Sequence, residues 1–488
     1  MKFPRKTVYS MSLVTILMLT TVGTALANSI IGPSSSQSPY LVRSQPGVVT
    51  KAILTVGDSV NFKTDGITPY RMVGIPDGLG AFDNGDGTFT LLMNHELSNS
   101  AGATRAHGAI GAFVSKWIIR TSDLTVLSGE DLIQNVLVWG PAGYQPATLA
   151  QKNFSRFCSA DLPALSAFYD SASGLGYNGR IFMNGEESGA EGRAFAHLLN
   201  GTSYELPRLG KFSWENSIAS PATGVSTVVA GMDDSGGGQV YFYIGTKTTS
   251  SNPVEAGGLT NGNLLGIKVA GLDAETNSTV LSGPVAFTTY NFGDVSAMTG
   301  AQLESASKDA SGAFRVTGFQ RPEDGAWDPN NPNDFYFVTT ASFTENSRLW
   351  RVRFNNAANP AAGGTIEMLL DGTEGQKMMD NITINNRGQV IIQEDPGNQS
   401  YIAKIWLYEI ATDQLVEVAK HDSERFAPGA AGFLTQDEES SGIIDVSSIL
   451  GEGWYLADVQ AHYALTDTEL VQGGQLLALH MPPGKKFK

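Results

Sequence analysis

Hydrophobic and polar positions alternate along most of the chain in short runs rich in Val, Ile, Phe, Tyr and Thr. That period of two, in runs of four to six residues, is the signature of half-buried strands. Thr88–Met93, Gly179–Met183, Gln239–Ile244, Asp334–Thr339, Gln389–Ile392 and Gly453–Ala457 read as strands. Glycine and Asp/Asn turns punctuate the runs. Only Gly108–Ile119 and Ala160–Tyr169 carry a pattern that predicts helix. The unit acidic or Asn-rich loop, strand, tight turn, strand, acidic loop recurs. Copies stand at Asp83–Glu96, Asp328–Thr340, Asp380–Asp395 and Ile444–Asp458. Recurring strand pairs of this kind predict an all-β chain folded as a β-propeller of about six blades, with irregular insertions and a few short helices. A ring of blades buries the faces that one blade leaves open. The spacing is irregular enough that a large β-sandwich also fits the pattern.

Three segments are expected. Residues 1–27 read as a signal peptide: Lys2, Arg5 and Lys6 are followed by an apolar stretch from Val8 to Val22 and by Ala25-Leu26-Ala27, an A-x-A cleavage site. The apolar stretch is shorter than the ~20 residues of a membrane-spanning helix, so no membrane span is expected after cleavage. Residues 28–50, with Pro33 to Pro39 rich in serine, read as an irregular lead-in. Residues 51–488 follow as one propeller domain with no linker. The expected location is outside the cytoplasm, periplasmic or secreted.

Composition narrows the function. Of 488 residues, 16% are charged and 41% hydrophobic, with 55 glycines. A disordered chain or a coiled coil would need far denser charge. One cysteine excludes a disulfide scaffold. Loss of Lys2, Arg5 and Lys6 with the leader takes the net charge from −16 to −19, which argues against a nucleic-acid partner. Gly57-Asp58-Ser59-Val60 has the look of a hydrolase nucleophile block, but no matching base follows at the required spacing, and a strand with a turn is the better reading. Cys158 reads first as a buried small hydrophobe, with metal ligation second.

The carboxylates say more. Glu186-Glu187, Asp233-Asp234, Glu323-Asp324, Glu394-Asp395 and Glu438-Glu439 stand as pairs at strand ends. Like charges placed together repel unless they are exposed or bind a cation. Strand ends of successive blades meet at the channel mouth, where such pairs would form an oxygen-rich cage for Ca²⁺ or another hard cation. Exposed acidic turns are the plainer alternative.

In their order, the blocks resemble those of the PhoX-type alkaline phosphatases. The carrying residues are Pro76-Asp77-Gly78, Asn94-His95-Glu96, Asn184-Gly185-Glu186-Glu187, Gly210–Glu215, Gly231–Asp234 with Tyr241–Tyr243, Arg321-Pro322-Glu323 with Asp328-Pro329, Asp380-Asn381 with Glu394-Asp395, and Glu439–Gly442 with Gln460-Ala461-His462. The resemblance implies an exported, metal-dependent β-propeller phosphatase using Ca²⁺ and Fe³⁺. It also implies a cysteine before the paired glutamates, where this chain has Gly185, so the calcium-type sites transfer better than an iron–thiolate centre. The expected metal ligands are Glu96, Glu186, Glu187, Glu215, Asp234, Glu323, Asp380, Asp395 and Glu439. Arg321 and Arg348 would grip phosphate oxygens, and His95 and His462 would orient a ligand or protonate the leaving oxygen. The expected partner is a small phosphoester, acted on by a monomer. A calcium-binding propeller without activity, or a phytase- or lactonase-like hydrolase, are the alternatives.

Overall fold

The computed structural model describes residues 29–487. The signal peptide expected at residues 1–27 lies outside the described residues. The chain forms a six-bladed β-propeller with a few short helices, of which Gly300–Ala306 is the longest among the described residues. The innermost strands of the blades, in chain order, are Pro76–Asp83, Phe157–Asp161, Trp214–Ala219, Pro322–Trp327, Met379–Ile384 and Glu438–Asp445. Each lies against the next, and the last lies against the first. The inner four strands of each blade run outward as antiparallel neighbours, as in Pro76–Asp83, Thr88–His95, Phe113–Arg120 and Val126–Asp131 of blade 1. Blades 3 and 4 join into one nine-stranded sheet where Val285–Phe287 pairs with Gly364–Ile366.

The ring is closed by the two ends of the chain. Val49–Thr55 pairs antiparallel with Gln472–His480 and becomes the outer strand of blade 6. The lead-in, expected to be irregular, contributes strands. Ser29–Ile31 extends blade 6 and Leu41–Arg43 adds a fifth strand to blade 5. Leu41 is fully buried there. The two predicted helices are corrected. Phe113–Arg120 is the third strand of blade 1, where Val114, Ile118 and Ile119 suit a strand paired on both sides. Ala160–Tyr169 begins in the inner strand of blade 2 and holds only a single 3₁₀ turn, Leu165–Ala167, after Pro163. Gly57 and Asp58 lie in a turn between strands, as expected.

Every inner strand carries a β-bulge near its start. In blades 2 to 5, Cys158-Ser159, Glu215-Asn216, Glu323-Asp324 and Asp380-Asn381 each stand opposite a single partner residue. Blades 1 and 6 are bulged at Gly78 and at Ser441-Gly442. A bulge twists its strand and re-aims a side chain. In blades 2 to 5 it falls at the same place, the second and third residues of the inner strand.

Leu54 is fully buried in the closing strand. We expect Leu54→Ala to cost about 2–5 kcal/mol in urea or guanidinium unfolding, since the cavity opens at the seam that joins the ends.

Candidate metal centre at the channel mouth

One hydrogen bond repeats six times around the mouth. The amide after the second strand of each blade donates to the carbonyl of the residue before the inner strand. The pairs are Glu96 to Ile75, Glu187 to Arg156, Asp234 to Ser213, Thr340 to Arg321, Asp395 to Met378 and His462 to Asp437, at 2.8–3.0 Å. In four blades the accepting residue has positive φ: Ile75 at 50°, Arg156 at 49°, Arg321 at 61° and Met378 at 39°. Such backbone costs about 1–3 kcal/mol per residue and collects at functional sites.

This repeat defines two rings. The inner ring, two residues beyond each accepting carbonyl, is Asp77, Cys158, Glu215, Glu323, Asp380 and Glu439. The outer ring, formed by the donors, is Glu96, Glu187, Asp234, Thr340, Asp395 and His462. Strand alternation explains the paired carboxylates, because neighbours on a strand face opposite ways. Glu187, Asp234, Glu323, Asp395 and Glu439 belong to the rings. Of their neighbours, Asp324 turns down the channel to Asn216 and Ile382, and the others turn away from the rings. Glu186 is held by Arg193 at 2.7 and 2.9 Å, and Glu394 accepts from Trp406 Nε1 at 2.8 Å.

The rings converge on three groups whose ligand atoms lie within 4.8 Å of one another: Asp77, Glu96 and Cys158; Cys158, Glu187 and Glu215; and Glu215, Glu323 and Asp380. Cys158 and Glu215 are each shared by two groups. Cys158 Sγ donates to Asp77 Oδ2 at 3.3 Å, and Gln460 Nε2 lies 3.0 Å from both Asp77 Oδ2 and Glu96 Oε2. Glu215 Oε1 is buried without a partner. Below the inner ring, Asn216 Nδ2 donates to Asp324 Oδ1 at 2.6 Å and to Ser159 Oγ at 3.2 Å, and Ile382 N donates to Asp324 Oδ2 at 3.0 Å. This second layer fixes the bulges from beneath.

Burial pushes Asp77, Glu187, Glu215, Glu323 and Asp380 well above the usual carboxylate range, and neighbouring carboxylates push them further. Asp395 rises to about 7 for the same reasons. Burial also raises the Cys158 thiol. Glu439 is the exception: against burial, the hydrogen bond and charge of His462 hold it below the usual value. Burial would depress His462, yet Glu439, 3.4 Å from its Nε2, brings it up to about 10. Two arginines complete the mouth. Arg156 binds Glu187 and lies 2.7 Å from Glu96. Arg321 makes a two-pronged contact with Asp234 at 2.7 and 2.8 Å and reaches Glu323 at 2.9 Å. Their side chains are 49% and 35% exposed, so both face solvent above a buried cluster.

The donor set fits metal ions. Five inner carboxylates and four outer ones face three cationic side chains, and burial leaves that excess charge without solvent. Two carboxylates about 5 Å apart repel by about 3–4 kcal/mol at an effective dielectric of 20. Protons or cations must neutralise them, and shared oxygens within 4.8 Å suit cations.

Ten of the thirteen expected site residues lie in the rings or, like Arg321, over them, and three play another part. Glu186 is the blade-facing member of its pair. Arg348, fully buried, binds Glu275 at 2.7 Å and the carbonyls of Thr276 and Asn277 at 3.1 and 3.0 Å, in the segment between the last two strands of blade 3. His95 neighbours Glu96 in sequence, but its ring points into blade 1. There it meets Ser115 Oγ at 2.9 Å and Gly74 O at 3.2 Å and stacks on Phe113, and burial lowers its pKa to about 3. Sequence reasoning missed Asp77 and Arg156 and ranked metal ligation by Cys158 second. Cys158 is no inert hydrophobe: the bulge turns its sulfur into the cluster. A cysteine at Gly185 has no room, because a Cβ there would lie 2.4 Å from Trp214 Cβ.

No protein-family model matches the chain, and no curated protein matches it. Among solved structures, Pseudomonas fluorescens PhoX in complex with vanadate, a transition state analogue, superposes with a TM-score of 0.64 at 12% identity, covering 93% of this chain and 97% of that one. The fold is PhoX-like. The α-L-arabinofuranosidase of Podospora anserina in complex with cellotriose superposes loosely, with a TM-score of 0.33 at 10% identity over 88% of this chain and 96% of that one. Like PhoX itself, it is matched over nearly its whole length.

Two outcomes test the site. Raised carboxyl pKa values favour the protonated folded state, so their contribution is complete below about pH 4 and is lost as pH rises through about 7. The chelated chain should therefore lose thermal stability between pH 4 and 7, and Ca²⁺ should restore more of it at pH 8 than at pH 5. Arg348→Met leaves Glu275 buried and unpaired and should cost about 3–5 kcal/mol without lowering metal content, as measured by denaturation and elemental analysis.

Proposed function

We propose that this chain is an exported, metal-dependent phosphoester hydrolase of the PhoX kind. The observation that carries the reading is the double ring of carboxylates with a thiol, overhung by Arg156 and Arg321, at the mouth of a PhoX-like propeller. Asp77, Glu96, Glu187, Glu215, Glu323 and Asp380 would hold cations through oxygen, as Ca²⁺ prefers. Cys158, shared between two groups, adds a soft ligand that suits iron better than calcium. When bound, the cations neutralise charge that gathers on the phosphoryl group and polarise its oxygens.

The chain's own residues then have distinct tasks. Arg156 and Arg321 present guanidinium forks at the solvent side of the cluster and would hold phosphate oxygens, a contact worth most as charge builds in the transition state. Their carboxylate partners keep them oriented before substrate arrives. His462 is cationic at neutral pH, is fixed by Gln472 Oε1 at 2.6 Å, and would give its proton to the leaving oxygen. Its loss of a proton is eased if Glu439 turns to a cation. The cluster's burial at the base of the mouth limits water to one side. Export follows from the leader at residues 1–27, and among the described residues no helix is long and apolar enough to cross a membrane.

The test is turnover of p-nitrophenyl phosphate by residues 28–488 at mildly alkaline pH. Chelator should abolish it, metal should restore it, and vanadate should inhibit it. Glu323→Ala should lose bound metal together with activity, and Arg321→Ala should keep the metal while kcat/KM falls by about 100-fold or more. Absence of turnover with any metal, beside a melting temperature still raised by Ca²⁺, would make the chain a calcium-binding propeller without this activity.

A further inference from the structure

A cavity of about 330 Å³ opens on the mouth face between blades 2 and 3. Phe212, Tyr241 and Leu303 form its apolar floor, and Ala190, Lys211 and Gly236 its rim. Phe212 stacks on Trp214 at 3.9 Å, so the floor is rigid. The far wall is the helix Gly300–Ala306, whose Gly300 N is tied to Glu191 Oε1 at 2.9 Å. The cavity borders the outer ring, because Asp234 of that ring lines it. The remaining wall, Gly236–Gly238, pairs with Phe319–Gln320, and the next residue is Arg321. A phosphoryl group held by Arg321 therefore has this cavity beside it.

We propose that the cavity receives the alcohol part of the substrate and selects phosphomonoesters of uncharged, ring-bearing alcohols. This rests on the phosphatase reading above. The size suits a group of aryl or nucleoside dimensions, and the floor offers aromatic and aliphatic surface. The wall chemistry excludes a second phosphate: Asp233, Asp234 and Glu304 line it, and its lysine, Lys211, already faces Glu191 at 3.5 Å. Small polyol phosphates would leave the floor wet and gain nothing from it.

The rim offers a clean probe. A Cβ at Gly236 meets nothing within 4 Å, and its φ is not in the left-handed region. A bulky side chain there can fill the cavity without straining the backbone. The experiment compares 1-naphthyl phosphate with glycerol 3-phosphate in the wild-type chain, in Gly236→Phe and in Ala190→Trp, which fills from the opposite rim. The wild type should prefer the naphthyl ester, and both variants should lower the ratio of the two kcat/KM values by about 10-fold, mainly through KM for the naphthyl ester. A non-hydrolysable naphthyl phosphonate should bind the variants about 10-fold more weakly by calorimetry. An unchanged ratio in a turning-over enzyme would overturn the pocket and leave the phosphatase reading intact. No metal-dependent turnover of either ester by the wild type would overturn both.

Discussion

Carboxylates crowded at one end of a narrow channel impose the constraint on which the rest of this structure depends. Asp77, Glu215, Glu323, Asp380 and Glu439 arrive from five different blades, with Glu96, Glu187, Asp234 and Asp395 just above them. In water their repulsion would be slight. In a buried ring each close pair costs several kcal/mol, and desolvation adds to that. A fold of marginal stability can hold such a set only with neutralising partners. Arg156, Arg321 and His462 supply part of the charge, and cations fit the remainder. The bulges, the hydrogen-bonded layer of Ser159, Asn216 and Asp324, and the six repeated amide–carbonyl bonds all serve to keep these groups at one level against their mutual repulsion.

The backbone carries part of that cost. Ile75, Arg156, Arg321 and Met378 sit in a left-handed conformation that glycine would adopt more easily. Arg156 and Arg321 show why glycine is not used there. The same residue that turns the chain into the inner strand also aims a guanidinium over the cluster. Turn and anion grip are thus one feature, repeated in blades 2 and 4. The closing strand Val49–Thr55 has a matching role on the outside. It ties blade 6 to the beginning of the chain, so the ring of inner strands cannot spread.

Much of this was legible in the sequence. Alternating runs such as Asp334–Thr339 gave strands where strands are found, and their recurrence gave the propeller. The acidic pairs pointed to the mouth. What the pairs did not reveal was which member turns inward. A period of two answers that within one strand, but the bulges shift the phase, and a bulge is not visible from composition. Asp77 was missed, and ligation by Cys158 was ranked second, for this reason: neither belongs to an acidic pair, and both reach the cluster through a bulged inner strand. His95 and Arg348 failed in the opposite way. His95 lies in a block that resembles the phosphatases and Arg348 in none, and each is turned into a blade or an insertion where buried partners satisfy it. The helices predicted at Gly108–Ile119 and Ala160–Tyr169 failed because tertiary pairing overrode local pattern.

The central claim is that cations, held in part by the Cys158 sulfur, neutralise the double ring. Anomalous diffraction from crystals of residues 28–488, collected on both sides of the iron edge and at long wavelength for calcium, tests it directly. The account predicts anomalous peaks within about 2.0–2.6 Å of oxygens in the three groups, with one that responds to the iron edge beside Cys158. A map with no peaks there, and with the carboxylates closed into short proton-sharing pairs, would contradict it.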